Sequence, residues 1–332
     1  AALAGVSKST VSHALSGKRP ISADTRARIQ QAVDQLGYQP HPVAQRLAGG
    51  NSRTIGFVFP LYAPNIAGLE MKFITGAANV INQADYAFLL LTHPQQESTH
   101  LKRFVQSGLV DGFILMQVHL HDPRVDMLKS VGVPFVLVGR CEDNTGLAYV
   151  DADIEDSMGQ CVAHLAGLGH RTIAYLYQDD PEFGFAARAR RGFSAASQAY
   201  NLTAVTQPCE LSPESGESAL HTLLDQQPDV TAVIVWNDTA ALGVIQATHR
   251  RGLRIPTDLS LICSDYSAIS NLISFTPTIF DIRGEEIAAQ AAQMIIDFLD
   301  NSKPVDQLQR LLKPGFIIGD STAPPSSAGS AE

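Results

Sequence analysis

The stretch AGVSKSTVSHALSG, Ala4 to Gly17, is small and polar and lies near the beginning of a chain of 332 residues. It carries too little apolar surface to be a core segment of its own. Its spacing instead describes two short helices that meet at a glycine. Ala1, Gly5 and Val11 stand where a helix-turn-helix needs a small residue at the crossing, a turn residue free to take positive φ, and an apolar anchor beneath the second helix. Ala4, Val6, Val11 and Ala14 face inward. Ser7 is a good N-cap, because its hydroxyl can accept from an amide in the next turn, so the second helix is expected from Lys8 to about Leu15. Lys8, Ser9, Ser12 and His13 then project near its N-terminal end, where a recognition helix meets base edges in a major groove; Ser7 and Thr10 are better placed for phosphates. On this reading the chain begins inside the first helix of the motif.

A third helix follows. Ser22 caps it, Ile29, Ala32, Val33 and Leu36 form its inward stripe, and Gly37 stops it. Two prolines come next, in YQPHPVAQRLAGG, and after them Val43 to Ala48 has room for about one and a half helical turns, well below the ~12 residues at which an isolated helix becomes marginal. This segment is expected to stay disordered until something holds it.

Charge agrees with a phosphate-binding head. The net charge is −9, but residues 1 to 53 carry seven Lys and Arg against two Asp, a local +5 that leaves −14 for the remainder. A small basic head on an acidic body fits a module that meets nucleic acid, attached to one that does not. The body has an ordinary soluble composition, 45% hydrophobic and 17% charged. No apolar run reaches the roughly 18 residues of a membrane span, and no leader pattern opens the chain, which places it in the cytoplasm. The four cysteines, Cys141, Cys161, Cys209 and Cys263, are scattered without metal spacing and are read as reduced, buried thiols.

From Thr54 onward the texture is α/β. TIGFVFP, YAFLLL, GFILM and PFVLVG read as buried parallel strands, with helices near 67–83, 98–108 and 122–131. A second set follows, with strands TIAYLY, AVIVW and LSLIC and helices near 156–168, 185–200, 216–226 and 239–252. Two doubly wound parallel sheets are the natural outcome. A further helix, 284–300, comes after the second set is complete. The tail DSTAPPSSAGSAE is Pro/Ser-rich and is expected to be disordered over 319–332.

The run from Ala4 to Gly50 resembles the DNA-binding head and hinge of the lactose and galactose repressor family. The resemblance continues in VDGFIL, GVPFVLVGR, AHLAGLGHRTIAYL, RRGFSAA, VIVWNDTAALGV and LRIPTDLSLICSDYS, reaching about residue 318. It implies a helix-turn-helix head over 1–40, a hinge and linker over 41–53, and a two-lobed, periplasmic-binding-protein-like core over 54–318. The first lobe would take about 54–155 and 284–305, the second about 156–280 and 306–318. It implies a homodimer on a palindromic operator, with Lys18 on phosphate and with paired hinges carrying Val43, Ala44 and Leu47 into the minor groove, where Leu47 wedges and kinks the duplex. The tail lacks leucine heptads, so a dimer rather than a tetramer is expected.

The same resemblance implies a repressor governed by a small effector, a sugar, held between the lobes. Asp265 follows the strand LSLIC, and Asn237 with Asp238 follows AVIVW; these match effector-contacting positions. A carboxylate beside an amide suits vicinal hydroxyls. Asp265 and Asn237 could instead cap the helices or turns after their strands, and Asp238 is read as such a cap rather than as a contact. Arg140 closes PFVLVG and can donate into the cleft. Arg188 and Arg190 flank Ala189, where the family usually has an arginine; either could take over its role, or the effector needs no arginine there. Tyr62 and Phe185 could stack on a sugar face or simply pack. No cofactor or metal is implied: His119, His121 and Asp122 cluster without a further ligand at metal spacing. The chain has no GxSxG elbow, P-loop or strand-linked GxGxxG, which argues against an enzyme. The alternative reading is a sugar-binding or sugar-processing protein whose basic head is incidental.

Overall fold

The computed structural model describes residues 1–16, 21–37, 52–60, 68–92, 98–264, 275–301 and 308–326. Lys18, Val43, Ala44, Leu47, Tyr62 and Asp265 lie outside the described residues.

In the head, Gly5 takes φ +64°, its N–H bonds the carbonyl of Ala2, and Val6 N–H bonds that of Ala1. This pair of bonds is the Schellman ending of a helix, with glycine in the left-handed position that a Cβ would strain. Ser7 then caps α1 (Lys8–Ser16), its Oγ accepting from Thr10 N–H at 3.0 Å. Ser22 caps α2 (Ala23–Leu36) by accepting from Thr25 N–H, and Gly37 closes it at φ +55°. Ala4, Ile29 and Ala32 are buried, with Val6, Val11, Ala14 and Val33 against them. Two expectations need correction. Ala1 is exposed and Ala4 fills the crossing, while Leu36 is 65% exposed, outside the inward stripe. The head core is a single layer that ends at Ala32 and Val33, so the last turn of α2 has no described neighbour to bury it.

The body is two six-stranded sheets. The first contains β1 (Thr54–Val58), β2 (Ala87–Leu91), β3 (Gly112–Leu115), β4 (Phe135–Val138), β5 (Tyr149–Ala152) and β11 (Gln309–Leu312), in the order β11-β5-β4-β3-β1-β2 and all parallel. The second contains β6 (Thr172–Tyr177), β7 (Thr203–Pro208), β8 (Ala232–Val235), β9 (Ser260–Cys263), β10 (Thr278–Asp281) and β12 (Gly315–Ile317), in the order β12-β10-β9-β8-β6-β7. There β12 runs antiparallel to β10. Central strands bury both faces, which is why they read as continuous apolar runs.

Helices α3 (Gly68–Gln83), α4 (Ser98–Ser107) and α5 (Pro123–Val131) belong to the first lobe. The second holds α6 (Ile154–Leu168), α7 (Gly184–Ala199), α8 (Pro213–Gln226) and α9 (Asp238–Arg250). Helix α10 (Gly284–Asn301) returns to the first lobe and packs along α3, so closely that a Cβ on Gly76 would sit 2.3 Å from the carbonyl oxygen of Glu285. The chain therefore crosses between lobes three times, after β5, β10 and β11. The last crossing corrects the expected division: 309–312 extends the first sheet, and only 315–317 joins the second.

The tail also departs from expectation. Residues 319–326 are ordered against the second lobe. Ser321 is fully buried, its Oγ donating to the Leu261 carbonyl and accepting from Thr278 N–H, and the Ala323 carbonyl accepts from His170 and Ser260. Its serine and threonine hydroxyls supply hydrogen bonds at the end of the sheet, a use that a composition argument for disorder does not see.

Candidate functional site

The residues expected to read DNA sit together on the first half of α1. Ser7, Lys8 and Ser9 are exposed, while Thr10, Ser12 and His13 are half-buried. Ser7 Oγ also contacts the hydroxyls of Ser9 and Thr10, at 2.7 and 2.8 Å. The helix N-terminus thus presents hydroxyls, unspent amides and the Lys8 ammonium at one end, a favourable arrangement for phosphate.

A second site lies between the lobes, at the C-terminal ends of the strands of both sheets. It is a cavity of about 160 Å³. The first lobe contributes Phe59 after β1, Phe73 on α3, Gln117 after β3 and Asp151 on β5; the second contributes Gln178 after β6, Phe183 and Phe185 around the start of α7, Glu210 after β7, and Trp236 and Asn237 after β8. Strand ends at a topological switch point are where this architecture opens a crevice. The aromatic walls are held in place: the Phe183 and Phe185 rings lie 5.9 Å apart, and Trp236 donates its indole N–H to the Cys209 carbonyl at 2.9 Å.

Asn237 is 5% exposed; it takes the capping role and also lines the cavity. Its Oδ1 caps α9 by accepting from Ala240 N–H at 2.7 Å, while its Nδ2 has no hydrogen-bond partner. A buried amide donor left unmade costs about 1–3 kcal/mol, which a ligand oxygen would recover.

The arginines are placed elsewhere than expected. Arg140 binds Asp151, Nε to Oδ2 at 2.8 Å, with Glu155 at 4.0 Å, and only Asp151 of that pair lines the cavity. Arg188 is buried and donates to the carbonyls of Arg140 and Cys141 at 2.9 and 2.7 Å, tying α7 of the second lobe to the first. Arg190 is exposed and stacks on the Tyr177 ring at 4.4 Å. Of the expected effector contacts among the described residues, Asn237 and Phe185 line the cavity, as does Asp238; Arg140, Arg188 and Arg190 do not. Gln117, Asp151, Gln178, Glu210 and Trp236 line it without having been singled out in the sequence. Their common signal is position, since each lies at or just past the end of a strand.

Beside the cavity the lobes touch through their backbones. Leu120 N–H donates to the Glu182 carbonyl at 2.7 Å and Gly184 N–H to that of Val118 at 3.0 Å, and a Cβ on Gly184 would sit 2.8 Å from the Arg140 carbonyl oxygen. His119 and His121 take part here, pairing with Asp180 at 3.5 Å and Glu182 at 3.0 Å. The nearby Asp122 caps α5 and pairs with Arg124, both nearly sealed from solvent; burial works against its charge, yet Arg124 and two backbone amides hold its carboxyl below the usual range. Burial pushes the Cys141 and Cys209 thiols up to about 11, as inert thiols require. No helix of the described residues is long and apolar enough to cross a membrane.

Residues 1–41 match the model for bacterial regulatory proteins of the lacI family, and residues 162–322 match that for a periplasmic binding protein-like domain. The chain is 34% identical over 272 residues to the HTH-type transcriptional regulator AglR of Rhizobium meliloti (strain 1021), covering 80% of this chain and 76% of that protein. It is 28% identical to the HTH-type transcriptional regulator CelR of Thermobifida fusca, covering 92% of each. Among solved structures it is similar to a regulatory protein of LacI family from Chloroflexus aggregans (26% identity, TM-score 0.73, covering 82% of this chain and 99% of that one). A CelR–cellobiose complex has the same fold over 96% of this chain and 97% of that one, with 24% identity and a TM-score of 0.75. With a helix-turn-helix head, two parallel sheets around a cleft, and full-length relatives that are transcriptional regulators, this chain belongs to the lacI family of bacterial transcriptional regulators.

Proposed function

We propose that the protein is a repressor that pairs as a homodimer on a palindromic operator and is governed by a sugar bound between its lobes. The observation that carries the sugar is Asn237: a buried amide donor, unsatisfied, in a cavity walled by aromatic rings and carboxylates. Rings supply apolar faces for a pyranose, and carboxylates and amides suit its hydroxyls. The CelR–cellobiose complex, of the same fold, supports the choice of ligand class. Control follows from the lobe contact. Arg188 and the backbone bonds at Val118 and Leu120 hold one relative orientation of the lobes. A ligand that favours one orientation biases how often two heads can bind together.

The test is binding of the full chain to palindromes beside its own gene, with and without a sugar panel, at fixed salt. A tenfold or larger shift by one sugar, about 1.4 kcal/mol of coupling, is expected. His13→Ala should relax preference at one operator position by about 1–3 kcal/mol, whereas Lys18→Ala should weaken operator and random DNA more nearly alike. Equal losses on operator and random DNA for both variants would remove His13 from base reading. If no palindrome is preferred over random DNA, the repressor reading fails.

A further inference from the structure

Among the described residues that line the cleft, four are carboxylates and none is a lysine or arginine. Glu70 and Asp151 come from the first lobe, Glu210 and Asp238 from the second. Of the neighbouring guanidiniums, Arg140 pairs with Asp151 through Nε at 2.8 Å while its buried Nη2, 4.0 Å from Glu155, has no hydrogen-bond partner, and Arg188 donates to two backbone carbonyls. The same cleft holds the unpartnered Nδ2 of Asn237, a side chain more than nine-tenths buried, which calls for an acceptor oxygen from a ligand.

We propose that the cleft accepts uncharged or amino-bearing sugars and rejects phosphorylated or acidic ones, with Asp151 as the residue that sets this selectivity. The inference rests on the sugar reading above and adds the charge of the ligand. Asp151 is locked in orientation: Oδ2 accepts from Arg140 Nε at 2.8 Å and Oδ1 from Ala152 N–H at 2.9 Å. Each oxygen keeps further acceptor capacity, which a hydroxyl or an ammonium can use. A phosphate or carboxylate arriving there meets a lining of four carboxylates and no lining cation, so like charge outweighs the one Arg140 guanidinium that pairs with Asp151, in a site of low dielectric. Rejection of the anionic analogue is therefore built from repulsion rather than from a missing contact. Glu210 is exposed at the rim and adds to the same field from the facing lobe.

Calorimetric titration of the full chain with matched sugars tests this: glucose, glucosamine and glucose 6-phosphate in one set, cellobiose and cellobionate in the other. The expected result is that, in a set that binds, the neutral or amino member is at least 20-fold tighter than its anionic counterpart. Asp151→Asn should shrink that ratio at least tenfold, since it removes the carboxylate and releases Arg140. Glu210→Gln, at an exposed position that does not endanger folding, should shrink it at least twofold. A ratio below 20-fold in the native chain overturns the inference while leaving the sugar reading intact. So does a ratio that neither variant moves. If no member of either set binds, the sugar reading itself falls, and this inference with it.

Discussion

Among the described residues of the head, burial amounts to Ala4, Ile29 and Ala32 with four partly covered neighbours. In the body, one cluster runs unbroken from β1 through α10 and across to β6 and β10, and two more fill the outer faces of the sheets. A unit as small as the head buries a small share of its apolar surface and stands at the margin of independent stability. The body has ample reserve, so a ligand can bias its lobes without threatening the fold. The contrast places the smaller reserve of stability in the head.

The comparison breaks most visibly if the body is damaged. Asp122→Ala leaves Arg124 charged and sealed from solvent with only backbone carbonyls as partners, so the body should lose about 3–5 kcal/mol while the head is unaffected. Scanning calorimetry that resolves the two transitions would show it; a loss under 1 kcal/mol would mean that water reaches the pair. Next is Gly243→Ala. A Cβ there would lie 1.8 Å from the Pro213 carbonyl oxygen, so α8 and α9 must separate, at a cost of about 1–3 kcal/mol in the same transition. Ser22→Ala acts on the other side of the comparison. It removes the cap of α2 and should lower only the head transition, by about 1 kcal/mol. A matching drop in the body transition would show that the two regions unfold as one.

The smallest expected effect depends on pH. Burial holds His170 below the ordinary histidine value, with its ring between Thr231, Ser260 and the Ala323 carbonyl, and it holds His164 down as well. The unfolded chain therefore takes up protons first, near the ordinary value of about 6.5. Stability from these groups is intact above that pH and is lost as pH falls toward their folded values. His170→Gln should flatten the fall in the body transition between pH 7 and pH 5. An unchanged slope would assign the fall to other groups.

Much of this molecule was legible in its residues. The cap Ser7, the turn glycine and the apolar positions of the head depend on neighbours a few residues away, so spacing identifies them. The central strands announced themselves because both of their faces are buried. Strands β5, β7, β10, β11 and β12 were not foreseen. β7 alternates exposed and half-buried positions with polar residues, and β11 and β12 lie at sheet edges with little apolar character. Such strands form because a neighbour offers a ladder, which a local pattern does not record.

The chain alone determined a helix-turn-helix head, two parallel α/β lobes and a crevice at the strand ends, because each follows from local periodicity and from the way parallel sheets open. Only the tertiary structure decided which of its arginines line the cleft. Arg140, Arg188 and Arg190 look equivalent as letters, yet an ion pair, two carbonyls and a tyrosine ring claim them, leaving carboxylates and one unsatisfied amide to line the cleft. Partners brought together from segments far apart in the chain made that choice.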